Sequence, residues 1–86
     1  MRDISFTQDA FKEYNKWAES DPATFLKIID FIKEISRDPF KGKGKPEPLN
    51  GEFKGYWSRM LTDKHRLIYK VDDNSVRIIK CYGHYS

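Results

Sequence analysis

An α+β fold is predicted by three observations. The chain opens on a short alternating strand pattern, continues through two adjacent segments with helical apolar spacing, and closes on three β-rich segments separated by turn residues. The order strand, helical hairpin, β-meander implies a mostly antiparallel sheet packed against the helix pair. Residues 1–86 form one domain on this reading, because chains divide into separate cores only at two to three times this length.

Each element has a local cause. Arg2-Asp3-Ile4-Ser5-Phe6 alternates polar and apolar side chains, the period of a half-buried strand, and Thr7 can cap the segment that follows. In the helix expected over Gln8 to Ser20, Phe11, Tyr14 and Ala18 recur at i, i+3 and i+7 with Trp17 beside them, an aromatic stripe suited to core packing. Asp21-Pro22 supplies an N-cap followed by proline at the first helical position, where its missing N–H costs nothing. Phe25, Ile28, Ile29, Ile32 and Ile35 then keep the helical rhythm until Pro39 forbids continuation. From Phe40 to Gly55 the glycines and prolines predict an exposed loop and exclude helix. Strands are expected over Tyr56 to Leu61, Arg66 to Val71 and Ser75 to Tyr82, joined by tight hairpins. One sheet face then packs on the helices, while the other, carrying Arg59, Arg66 and Lys80, stays solvated and basic.

Composition narrows the function classes. With 38% hydrophobic and 34% charged residues, the chain suits a small core and not a disordered tail. No uncharged apolar stretch approaches the roughly 20 residues that span a bilayer, and Arg2-Asp3 interrupts a signal-like start, so a soluble cytoplasmic protein without membrane attachment is expected. Cys81 alone cannot form an internal disulfide, and with His65 and His84 it assembles no metal-ligand spacing, so neither metal nor other cofactor is expected. Residues 1–40 hold six basic and eight acidic side chains, whereas residues 41–86 hold ten and five. The C-terminal half is therefore the one suited to a polyanion.

Three places carry chemistry. Lys41, Lys43 and Lys45 alternate with glycine, which lets ammonium groups approach a phosphodiester closely, although a solvated lysine loop explains them as well. Glu47 is held between Pro46 and Pro48, a rigid setting for a carboxylate. Near the chain end, His84 lies between Gly83 and Tyr85, where an imidazole can exchange a proton near neutral pH. Arg66 adds a guanidinium matched to phosphate geometry. Together these are parts for cleaving RNA without a metal: Glu47 to take the 2′-OH proton, His84 to protonate the leaving 5′-oxygen, and Arg66 to hold the phosphorane. His65 is a second candidate for the acid, although a histidine at a hairpin end is more often a surface residue.

The runs Gly42-Lys43-Gly44-Lys45-Pro46-Glu47-Pro48-Leu49, Gly55-Tyr56-Trp57-Ser58-Arg59, His65-Arg66-Leu67-Ile68-Tyr69 and His84-Tyr85 resemble the YoeB (Txe) family of the RelE superfamily, over essentially the whole length. The resemblance implies the compact α+β fold shared with microbial ribonucleases. It also implies a type II toxin that enters the A site of the 70S ribosome, cleaves the mRNA there and halts translation. The family's general base falls on Glu47, its phosphate-binding arginine on Arg66, its general acid on His84 and its substrate-orienting tyrosine on Tyr85. Lys41, Lys43, Lys45 and Arg59 remain as RNA contacts. A YefM-type antitoxin and a homodimeric partner are further implications. Two departures stand out: Met60 occupies a position where family members often carry a second arginine, and Ser86 extends the chain beyond His-Tyr. The competing class is a catalytically inactive module that only binds RNA, ribosome or antitoxin.

Overall fold

The computed structural model describes residues 1–83. Strand β1 (Asp3–Phe6) leads into helices α1 (Gln8–Ser20) and α2 (Pro22–Arg37), and strands β2 (Glu47–Pro48), β3 (Tyr56–Met60), β4 (Arg66–Val71) and β5 (Ser75–Lys80) follow. They form one five-stranded sheet in the order β1-β5-β4-β3-β2. The β1–β5 pairing is parallel and the other three are antiparallel. This is the expected α+β arrangement.

The helix boundaries follow from capping. The Thr7 hydroxyl accepts the Ala10 N–H at 3.1 Å, satisfying one of the orphan donors of the first turn of α1. Asp21 serves both helices. Its N–H closes α1 on the Trp17 carbonyl, while its carboxylate accepts the Thr24 N–H at 3.3 Å and the Thr24 hydroxyl at 2.8 Å. These Thr24 hydrogen bonds hold the Asp21 carboxyl below its ordinary pKa.

The core lies between the helices and one sheet face. Ala10 and Trp17 of α1 and Ile28, Phe31 and Ile35 of α2 pack against Leu67, Tyr69, Val76 and Ile78, with Leu61 and Cys81 at the strand ends. The buried stripe of α1 differs from the expected one: it runs Ala10-Tyr14-Trp17, with Phe11 53% exposed and Ala18 on the surface. Alanine at position 10 lets the helix approach Cys81, just past β5, whose thiol lies 3.7 Å from the Ala10 carbonyl, and Phe11 is left at the rim against Phe6 and Tyr14, with ring centroids 6.0 and 6.4 Å away. Burial drives the Cys81 thiol up to about 12, so it stays protonated at neutral pH.

Two features depart from the exposed loop expected over Phe40 to Gly55. Glu47 and Pro48 form an edge strand opposite Ser58 and Trp57, and Gly51–Phe53 makes one 3₁₀ turn where helix had been excluded. A two-residue edge strand tolerates proline because only one of its sides needs to hydrogen-bond. On β5 a bulge sets Lys80 opposite Ile68 but Ile78 opposite Tyr69, leaving Ile79 unpaired. Ile78 therefore faces the core while Lys80 faces the other way. No helix among the described residues is long and apolar enough to cross a membrane.

Candidate active site

Glu47 and Arg66, two of the candidate site residues, lie on the sheet face turned away from the helices. Opposed residues of antiparallel strands point to the same side, and Glu47↔Ser58, Met60↔Arg66 and Ser58↔Ile68 are such pairs. Trp57, Leu67 and Tyr69 pack on the helix side, so Glu47, Ser58, Met60, Arg66 and Ile68 share the opposite face. Two strand spacings and two residues of rise separate the α-carbons of Glu47 and Arg66 by roughly 12 Å. Glu47 is exposed and Arg66 half-buried. The same parity brings Lys70, Arg77 and Lys80 to this face, with Lys70 directly opposite Arg77. Lys70 and Arg77 escaped the sequence reading, although the spacing Arg66, Ile68, Lys70 along one strand carries the signal. The face is not uniformly solvated: Ser58 and Ile68 are buried at its centre, and the Ser58 hydroxyl has no hydrogen-bond partner among the described residues.

Arg59 requires a correction. Expected on the solvated basic face as an RNA contact, it is fully buried on the helix side. All five of its N–H donors are used. Nε donates to the Tyr69 hydroxyl at 3.1 Å, Nη1 to Glu34 and to the Lys43 carbonyl at 3.2 Å, and Nη2 to the carbonyls of Asp38 at 3.2 Å and Lys41 at 2.9 Å. The Tyr69 hydroxyl in turn donates to the Pro39 carbonyl at 2.7 Å. The guanidinium thus binds the protein's own loop and offers no donor to a ligand. Alternation explains the difference: Arg59 lies opposite Leu67 and shares its side of the sheet.

The lysine-glycine loop is shaped by that network. Gly42 has φ 131°, and a Cβ there would stand 1.7 Å from a Glu34 carboxylate oxygen, so glycine serves the approach of the loop to Glu34 and Arg59. The Lys43 N–H donates to Glu34 at 2.7 Å. The Lys43 ammonium meets Asp30 of α2 at 3.0 Å, which raises its pKa and turns it toward the helix. Lys41 and Lys45 are exposed and remain candidates for phosphate.

Burial alone would raise the Glu34 carboxyl, but the hydrogen bond from Lys43 and the Arg59 guanidinium outweigh it and hold the group below its ordinary value. The stabilisation is complete above the ordinary glutamate range and is lost as pH falls through the lower folded value. Thermal unfolding from pH 7 to pH 3 should therefore show a gap between wild type and Glu34→Gln that narrows on acidification. Asp21 has the same sign in both proteins and cancels. A gap independent of pH would remove the Glu34 charge from the account.

The C-terminal segment is held by both layers. Trp17 Nε1 donates to the Cys81 carbonyl at 2.8 Å, and the Cys81 N–H donates to the Glu13 carboxylate at 2.8 Å. The Arg66 N–H donates to the Gly83 carbonyl at 3.0 Å, while the Gly83 N–H donates to His65 Nδ1 at 2.8 Å. His65, expected at the surface of its hairpin, is instead half-buried between Trp17 and Tyr82. The expected acid His84 and orienting Tyr85 lie outside the described residues. Among the described residues no group of three or more His, Cys, Asp and Glu side chains is placed to hold a metal ion.

Similarity to known proteins agrees with this architecture. The chain is 47% identical over 85 residues to the toxin YoeB of Mycobacterium bovis, covering 99% of this chain and all of that one. It superposes on the YoeB/ParE toxin of Agrobacterium tumefaciens with a TM-score of 0.91 at 38% identity, over 96% of this chain and 99% of the other. On the toxin of the YoeB-YefM complex from Staphylococcus aureus the TM-score is 0.88 at 37% identity, over 99% of each chain. The class defined by fold and site is thus a small α+β toxin of a bacterial toxin-antitoxin pair. Residues 6–85 match the family described as YoeB-like toxin of bacterial type II toxin-antitoxin system, and the chain belongs to that family.

Proposed function

We propose that this toxin is an endoribonuclease that cleaves mRNA in the ribosomal A site by general acid-base chemistry. The observation supporting the reading is that strand register puts Glu47 and Arg66 on one sheet face, while the Arg66 N–H is tied to the carbonyl of Gly83 at 3.0 Å. His84 follows Gly83 directly in the chain.

In the proposed reaction Glu47 removes the ribose 2′-OH proton and the 2′-oxygen attacks the adjacent phosphorus. Arg66 takes up the charge of the phosphorane, and His84 protonates the 5′-oxygen as its bond to phosphorus breaks. The products are a 2′,3′-cyclic phosphate and a 5′-hydroxyl. Tyr85 orients the substrate, and Lys41, Lys45, Lys70, Arg77 and Lys80 supply phosphate contacts. An exposed carboxylate on a sheet face cannot alone hold a flexible single strand in line for attack, so the ribosome supplies the alignment. The substrate places the toxin in the cytoplasm. A YefM-type antitoxin, of the kind that binds the related Staphylococcus aureus toxin, neutralises it in this reading, its acidic segments drawn to the basic C-terminal half.

Primer extension and end-group analysis of message in a translating extract test the reading. Cleavage at A-site codons with cyclic-phosphate ends is expected only when ribosomes carry the message. Intact message with stalled translation would instead identify a blocking module without nuclease activity, and equal cleavage of naked RNA would remove the ribosome from the mechanism.

A further inference from the structure

We propose that His65 is a positioning residue: its neutral imidazole anchors the Gly83 peptide and so sets the point from which His84 departs. The inference rests on the nuclease reading wherever it concerns cleavage. Two consecutive residues of one hairpin grip a single residue of the C-terminal segment, since the Gly83 N–H donates to His65 Nδ1 at 2.8 Å and the Gly83 carbonyl accepts the Arg66 N–H at 3.0 Å. An amide N–H can donate only to an unprotonated ring nitrogen, so this hydrogen bond assigns the proton to Nε2.

The anchor is itself fixed. The His65 N–H donates to the Thr62 hydroxyl at 3.1 Å, and the His65 carbonyl accepts the N–H groups of Leu61 and Thr62. Its ring meets Trp17 edge-on with centroids 4.9 Å apart and lies 4.5 Å from the Tyr82 ring. Trp17 is almost wholly buried and is tied to the Cys81 carbonyl. Gly83 adopts φ 78°, which glycine enters without strain, and this turns the chain immediately before His84. The hairpin that carries Arg66 therefore also fixes Gly83, the residue that precedes His84 in the chain. In this role His65 itself need not touch RNA.

The ring nitrogen that accepts is Nδ1, a position that asparagine reproduces and glutamine does not. The test compares His65→Ala, His65→Asn and His65→Gln in the full-length toxin. Amide hydrogen exchange at Gly83 in the free protein should show protection in wild type and in His65→Asn, and loss of it in His65→Gln and His65→Ala. In single-turnover cleavage on programmed ribosomes at saturating toxin, the rate should fall about 10- to 100-fold in His65→Gln and His65→Ala, the scale of a misplacement near 1 Å, and stay within about fivefold of wild type in His65→Asn. Affinity for the ribosome should be unchanged in all three. Equal losses in His65→Asn and His65→Gln, a wild-type rate in His65→Gln, or Gly83 protection that survives in His65→Gln would each overturn the proposal. If the wild-type toxin cleaved no message, the nuclease reading would fail, and Gly83 exchange would still decide the anchor.

Discussion

Arg59→Met should lower the free energy of unfolding by about 3–5 kcal/mol, because it removes a wholly buried guanidinium that pairs with the part-exposed Glu34 and satisfies several buried and part-buried acceptors. Methionine fills much of the volume but leaves the Tyr69 hydroxyl and the carbonyls of Asp38, Lys41 and Lys43 without the guanidinium donor, and Glu34 with only the Lys43 N–H. In a domain this small each kcal/mol is worth about 4–8 °C, so the midpoint of thermal unfolding should drop by at least about 12 °C. Arg59→Lys should restore little, because a point ammonium with three donors cannot replace a planar fork that uses five. Circular dichroism melts of the three proteins measure this. A lysine variant as stable as wild type would contradict the donor accounting. The loop from Pro39 to Lys43 is bound to the domain through this guanidinium, and Glu47 follows only four residues later.

Glu47→Gln should have the opposite profile. The side chain is exposed on a two-residue edge strand, so the melting temperature should stay near that of wild type. Cleavage on programmed ribosomes should fall by roughly two to four orders of magnitude, the usual worth of a general base. His84→Ala should lose a similar factor at the leaving-group step while ribosome binding survives. Arg66→Ala should weaken both binding and rate, because a guanidinium meets the phosphate in ground and transition states alike. Single-turnover rates at saturating toxin, with ribosome affinity measured separately, distinguish the three. A Glu47→Gln protein that cleaves at the wild-type rate would remove the carboxylate from the mechanism.

The sequence was most legible where local rules act alone. Thr7, Asp21-Pro22 and Pro39 punctuate the helices because capping and the missing proline N–H are properties of a few neighbouring atoms. Apolar alternation likewise located the strands of the meander to within one or two residues. Reading was poorer wherever the answer depended on a distant partner. β2 exists only because β3 offers it an edge, and Phe11 was given a core place that Ala10 takes, since the phase of a helix face is set by what packs on it.

Arg59 and His65 show the same limit at the candidate site. In a single sequence a strand arginine looks solvated and a hairpin histidine looks exposed, because nothing nearby in the chain reveals Glu34, Tyr69 or Gly83 as partners. Composition, capping and periodicity by themselves determined the α+β class and the order of the first strand, the helical hairpin and the three-stranded meander. Only the tertiary structure decided which cations face outward and which hold the fold together. Strand register and the bulge at Ile79 set the side on which each side chain emerges, and those are fixed by contacts between residues far apart in sequence.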